Sequence, residues 1–304
     1  MNRISVRFAN LILFVLGVLL FACAEPAVSA ASSALSLCIT SVIPSLFPFM
    51  VLSSLMVRFR LLDPVCRFLP FRKLFGLPSH ASGAFLLGAL CGFPIGAKTA
   101  CSLYRSGVLT KEEAERTCAL SANTGPAFAV GVAGSALWGS RAFGWYLYGA
   151  QLLSAVLTGL LFRKKTSDIK SVSVYSTEKR TDPIRSLAEA VSSSAAACIP
   201  LCGYIVFFSV LSAIAAELIT DPIASAFAGS VLEFTTGIRQ ASLTGGTTGL
   251  FLTGFSLGFS GLSVLAQTFH FTSECGLSLR YTVISKTVCG LLCGVMCTLY
   301  PLIF

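Results

Sequence analysis

Residues 91–100 read Cys91-Gly92-Phe93-Pro94-Ile95-Gly96-Ala97-Lys98-Thr99-Ala100, inside an otherwise apolar stretch, 81–101. Pro94 removes a backbone donor, and Gly92 and Gly96 permit turns closed to other residues. At membrane depth, backbone that leaves the helix survives only where protein buries it or a water-filled cavity solvates it. A lysine there costs about 2.5–3.5 kcal/mol on insertion scales unless it faces water, a carboxylate or an anion. Snorkelling of Lys98 to the interface is the plain alternative. The stretch predicts a re-entrant helical hairpin whose tip carries free amides and one positive charge.

The rest of the chain has the composition of a membrane protein. Of 304 residues 55% are hydrophobic and 12% charged, with a mean hydropathy of +0.81. A soluble domain carries roughly 25% charged residues, so a water-soluble globule is excluded. Crossing about 30 Å of hydrocarbon takes about 20 apolar helical residues. The clear windows are 8–24, 34–57, 143–162, 189–218, 246–270 and 282–303; 81–101 and 118–138 are interrupted, and 223–240 is short and carries Glu233 and Arg239. The first window follows Arg3 and Arg7 and precedes Val28-Ser29-Ala30. It reads as an N-terminal transmembrane helix, with a signal-like segment as the alternative.

The net charge of +9 is a topology signal, because Lys and Arg gather in cytoplasmic loops; nucleic acid is not expected as a partner. Loop 163–188 holds Arg163, Lys164, Lys165, Lys170, Lys179, Arg180 and Arg185, and loop 58–80 holds Arg58, Arg60, Arg67, Arg72 and Lys73. Both loops are expected in the cytoplasm. Three windows lie between them, so one must not cross. Making 81–101 re-entrant keeps Arg105, Lys111 and Arg116 inside. Lys98, Arg239 and Lys286 are left within or beside apolar segments.

Ile43-Pro44 and Ser53 recur as Ile199-Pro200 and Ser209. Each copy is followed by an interrupted charged segment, a Gly/Ser/Thr-rich span and a plain apolar span. An odd number of crossings separates the copies, so the halves are expected to be inverted repeats with paired broken helices, a transporter design that binds solute near the midplane. The expected organisation is an N-terminal helix at 1–33, a first repeat at 34–162, a basic cytoplasmic linker at 163–188 and a second repeat at 189–304. The fold class is an all-α polytopic membrane protein.

Candidate binding residues sit at the interruptions: Gly92, Pro94, Gly96 and Lys98; then Asn123, Gly125 and Pro126 within Ser121-Ala122-Asn123-Thr124-Gly125-Pro126; then Glu233, Thr235, Thr236, Gly237 and Arg239. Ser256, Ser260, Ser263 and Gln267 fall three or four apart, on one face if the helix is continuous. Packing through small residues is the plain reading of those serines, and a structural ion pair that of Glu233 with Arg239. Gly258-Phe259-Ser260-Gly261 matches an intramembrane protease motif, but a nucleophilic serine needs a histidine base from another helix, and His270 ends the same segment. Twelve cysteines form no CxxC pair, and Cys289, Cys293 and Cys297 make a ladder on one helix face; small apolar packing is their expected role. No metal, no cofactor and no enzymatic activity are expected.

Five motifs in order, GFPIGAK (92–98), SGVLTKEEAER (106–116), NTGPAF (123–128), LEFTTGI (232–238) and GFSGLSVLAQ (258–267), resemble the YlbJ/SpoVV sporulation integral membrane proteins, which carry the nucleoside-recognition or Gate domain. The likeness runs from about residue 34 to residue 300. It implies a scaffold resembling concentrative nucleoside transporters and movement of dipicolinic acid across the outer forespore membrane. The site it implies comprises Gly92, Pro94, Gly96, Lys98, Asn123, Gly125, Pro126, Glu233, Thr235, Thr236, Gly237, Ser260, Gly261, Ser263 and Gln267. The chain departs from the family at Ala122-Asn123, where paired Asn is common, and at Ser260-Gly261, where Gly-Gly is common. The expected partners are a small anionic solute, the bilayer, a coupling H+ or Na+, and a second copy of the chain. A nucleoside-like solute and a non-transporting assembly factor stand as alternatives.

Overall fold

Lipid offers no hydrogen bonds, so an apolar chain of this composition must pair its backbone within helices or a closed barrel. The computed structural model describes residues 3–61, 63–164 and 182–303, and every regular element among them is helical. By length and composition three helical stretches suffice to cross a bilayer, Pro183–Leu218, Gly246–Ser273 and Arg280–Ile303, and a bent pair near the N-terminus makes a fourth. The chain is a multi-helix membrane protein.

The stretch around Gly92 doubles back. Helices α6 (Ala81–Cys91) and α7 (Ile95–Arg105) have 11 residues each, about 16 Å at 1.5 Å per residue, half the hydrocarbon thickness. Gly92 closes α6 at φ +82, and the Phe93–Pro94 bond is cis. The two legs lie against each other, since a Cβ on Gly88 would stand 3.3 Å from the Gly96 Cα. A second hairpin is formed by α11 (Pro222–Leu232) and α12 (Phe234–Thr244), again of 11 residues each, with only Glu233 between them in extended backbone. Its legs meet through small residues: a Cβ on Gly237 would fall 2.4 Å from the Ser230 Cα.

Each hairpin is followed by a broken helix. Helix α8 (Lys111–Ser121) starts at a complete capping box between Thr110 and Glu113, stops at Ala122, and resumes as a π-helical segment, Ala127–Leu137. Both pieces lean on α9 (Arg141–Leu161): Gly159 abuts Leu120, and Gly144 abuts Val130. These contacts lie 15 residues apart on α9, about 22 Å, so the broken segment runs on across the protein. In the second half α13 (Gly246–Phe259) gives way to α14 (Gly261–Ser273) at Ser260, whose φ is +76. Helix α13 packs on α15 (Arg280–Thr298) through Gly254 and Gly258 against the Cys289, Cys293 and Cys297 ladder. Close approach through small side chains is how membrane helices associate.

Several expectations need correction. Windows 8–24 and 34–57 are not separated by a loop: α1 (Arg3–Ala22) meets α2 (Ala24–Leu37) at Cys23 with a 93° bend, and α2 continues through a π turn at Cys38–Val42 into α3 (Ile43–Arg58). The α9 window has 21 residues, but its Trp, Tyr and Gln hold its hydropathy below that of the other spans. The basic loop 58–80 contains two short helices, α4 (Asp63–Phe68) and α5 (Phe71–Phe75); Phe71 and Phe75 are buried against Ala81, Ala84 and Leu120. The long α10 (Pro183–Leu218), capped by Asp182, packs along α2 and α3. The middle of the basic linker, 165–181, with Lys165, Lys170, Lys179 and Arg180, lies outside the described residues.

Candidate substrate site at the hairpin tips

Helices stop at Gly92, Ala122, Glu233 and Ser260, and these four interruptions gather. Gly125 of the first break lies on the first tip, where its Cβ would stand 3.2 Å from the Gly92 nitrogen; Gly261 of the second break lies on the second tip, 3.0 Å from the Phe234 nitrogen. The tips themselves touch: the Phe93 and Phe234 rings meet edge on at 5.8 Å, with Phe128 against Phe234 at 4.9 Å. Ala122 and Val264 complete this contact.

Around the rings the side chains are polar and buried. Asn123 is fully buried; its Nδ2 donates to the Leu120 carbonyl at 2.9 Å and its Oδ1 accepts from Gln151 Nε2 at 3.4 Å. Glu233 caps its own helix. Its Oε2 accepts from the Thr236 amide at 2.9 Å, from Thr236 Oγ1 at 3.2 Å and from Thr235 Oγ1. Glu233 Oε1, Gln151 Oε1, Thr124 Oγ1 and Ser263 Oγ are buried with no hydrogen-bond partner among the described residues. Buried polar atoms are normally paired, so this group is a set of open valences beside the tips. Gln267 is also buried, one turn beyond Ser263.

The structure divides the expected site residues into three sets. Gly92, Pro94, Gly96, Asn123, Gly125, Glu233, Thr235, Thr236, Gly237, Ser260 and Ser263 are at the tips or the breaks, with Gln267 a turn beyond. Ser260 Oγ donates to the Leu257 carbonyl at 3.3 Å and not to a histidine. Because the helix breaks at Ser260, Ser256 and Ser263 do not share one continuous helical face, contrary to their spacing; Ser256 bonds back to Leu252. Lys98 is set apart from the tip contact, one turn along α7. It lines a cavity of about 1110 Å³ between α3, α7, α10 and α14, together with Arg58, Arg60, Arg105, Glu189 and Glu274. The Lys98 Nζ is buried there with no hydrogen-bond partner among the described residues.

Arg239 is a correction. It is exposed on α12 and forms no pair with Glu233. Six helical positions separate the two residues, about 240° of rotation, and Glu233 Oε2 is committed to the N-terminus of α12. The buried cation near the tips is instead Lys286, 2% exposed on α15, whose Nζ donates to the Ala122 carbonyl at 2.7 Å. Its charge in an apolar segment was the signal; its partner is 164 residues away. Gln151 gave no signal at all.

The cavity beside Lys98 is large. Its volume exceeds the roughly 300–1,000 Å³ of ordinary ligand pockets, and its walls carry two ion pairs, Arg58–Glu189 at 2.5 Å and Arg105–Glu274 at 2.9 Å. Lys98 lies one turn along α7 from the first tip, its amide bonded to the Pro94 carbonyl.

No family model matches the chain, and no solved structure matches it. The chain is 27% identical to the sporulation integral membrane protein YlbJ of Bacillus subtilis strain 168 over 309 positions, covering 88% of this chain and 75% of that protein. Five ordered motifs, an all-helical membrane architecture and a similarity along most of the sequence thus agree, and the chain is a relative of the YlbJ sporulation integral membrane proteins.

Proposed function

We propose that the chain carries a small organic anion across the bilayer, with dipicolinate in endospore formation as the first candidate and the outer forespore membrane as the place. The observation that carries this reading is the Lys98 ammonium, without a hydrogen-bond partner among the described residues, on a cavity whose walls carry Arg60 and the Arg58–Glu189 and Arg105–Glu274 pairs, one turn from a hairpin tip. An isolated charge in that position is stabilised by an anionic ligand, and a broken-helix tip supplies amides and a positive helix end for carboxylate oxygens. The order hairpin, broken helix, continuous helix occurs in each half, which supports the reading of inverted repeats resembling concentrative nucleoside transporters. The anion is read as passing from the vestibule to the polar atoms of Asn123, Glu233, Thr235, Thr236 and Ser263. No chemical step is assigned to the chain.

The test is flux of dipicolinate into proteoliposomes holding the purified full-length chain. Losing a desolvated charge partner costs about 2–5 kcal/mol, so Lys98→Ala is expected to slow uptake at least about tenfold while the protein still inserts. Uptake unchanged in Lys98→Ala, or no flux of any dicarboxylate by the wild type, overturns the proposal. The second outcome would favour an assembly role.

A further inference from the structure

Lys286 belongs to the continuous helix of the second half, yet its ammonium ends on the first. Nζ stands 2.7 Å from the Ala122 carbonyl oxygen and 5.7 Å from the centre of the Phe93 ring. Ala122 has left the helix, with φ −77 and ψ 79, so its carbonyl is free to face a cation. On either side of it in the chain, Ser121 Oγ and Thr124 Oγ1 are buried without hydrogen-bond partners among the described residues. No carboxylate among the described residues forms an ion pair with Lys286. A fully buried lysine paired only to an unwound carbonyl and an aromatic face is an expensive arrangement at membrane depth, and ionisable groups are kept there for function.

In carriers built from broken helices, unwound carbonyls hold the coupling Na+ or H+. The Ala122 carbonyl is such a group, and an ammonium at 2.7 Å gives it the single positive charge that a monovalent ion would give. The Phe93 face adds cation–π attraction, which ties the charge to the first hairpin tip. We propose that Lys286 is a tethered cation filling the monovalent-ion position at the first break, so that the chain needs no Na+ there and the second half is latched to the first tip. Only the consequence for flux rests on the transport reading; the occupancy is a statement about binding.

The test is thermal unfolding of the detergent-solubilised full-length chain in NaCl, KCl and choline chloride at equal ionic strength. The wild type is expected to melt at one temperature in all three. Lys286→Ala vacates the carbonyl; it is expected to melt lower in choline and to regain about 2–4 °C when Na+ or K+ saturates the emptied position. Where that variant does not accumulate, Lys286→Met keeps most of the stem's volume without the charge and is measured in the same way, with the same expected regain. Stabilisation of the wild type by Na+ over choline overturns the proposal even if neither variant can be purified. So does a folded variant that regains no stability in Na+ or K+, whether it melts with the wild type or below it. Dipicolinate flux of the wild type, expected to be equal in Na+ and choline, is the second readout. Absence of flux in every salt refutes the transport reading and leaves the melting data to decide the lysine.

Discussion

Gly88 and Gly96, on opposite legs of the first hairpin, press on the same atom, the carbonyl oxygen of Ser121 at the end of α8. A Cβ built on Gly96 would lie 2.2 Å from that oxygen and 2.8 Å from the Ser121 Cβ; one on Gly88 would lie 1.9 Å from the oxygen. Ordinary contact begins near about 3.5 Å, so Gly96→Ala must drive hairpin and helix apart by about an ångström. The obstacle is backbone, held by the last turn of α8, and no rotamer relieves it. Overpacking of this kind costs about 1–3 kcal/mol, offset by about 1 kcal/mol of helix propensity gained in exchanging Gly for Ala. At about 2–4 °C per kcal/mol, the net loss is a few degrees. Gly203→Ala on α10 is the control, because nothing stands within 4 Å of its Cβ and only the propensity gain of about 0.5–1 kcal/mol remains. Unfolding of both variants, followed in detergent beside the wild type, should place Gly96→Ala below it and Gly203→Ala at or above it. If Gly96→Ala melted as high as Gly203→Ala, the close clasp of Ser121 would be refuted, and with it the placement of the first tip.

Ser260 holds a left-handed conformation at φ +76, so Ser260→Gly should raise the melting point by an amount worth about 0.5–1 kcal/mol; a lower melting point would mean that the bond to Leu257 outweighs the backbone cost. Thr110→Ala removes one half of the capping box that starts α8 and should cost about 1 kcal/mol in the same assay. Arg239→Gln, on an exposed position, should leave both stability, within about 0.5 kcal/mol, and dipicolinate uptake unchanged. Uptake falling as far as in Lys98→Ala would return Arg239 to the site.

The first hairpin could be read from Gly92-Phe93-Pro94 and Gly96 because those residue types act locally: they remove a donor or admit a turn wherever they stand. Interruptions at 122–126 and at Glu233 were legible for related reasons, a Gly-Pro pair in one case and a charge in an apolar run in the other. Ser260 was not, since serine is an ordinary helix residue; its left-handed turn goes with that of Gly261, which lies against Phe234 of the distant second tip. The 93° bend at Cys23 is a different case: Pro26 stands in the first turn of α2, where proline marks a helix start, but the apolar run through 8–24 hides the break. Among the charges, sequence placed Lys98, Arg239 and Lys286 alike within or beside apolar segments, and put only the first two in the candidate site. What separates them is long-range: a cavity beside Lys98, solvent or lipid beside Arg239, the Ala122 carbonyl under Lys286. Periodicity shows where a charge interrupts a span, but the partner that gives it a role comes from another helix.

The vestibule also has an electrical consequence. Under the transport reading proposed above, a cavity of about 1110 Å³ with charged walls would admit electrolyte, and electrolyte screens fields within about 10 Å. The membrane voltage would then not fall evenly across the thickness of the bilayer. It would be concentrated on the septum formed by Phe93, Phe234 and their neighbours. Each charge moved through the full potential changes energy by about 2.3 kcal/mol per 100 mV, and a dianion passing this septum would experience most of it. On that reading, movement of a few ångströms at the tips would be electrically equivalent to a complete crossing.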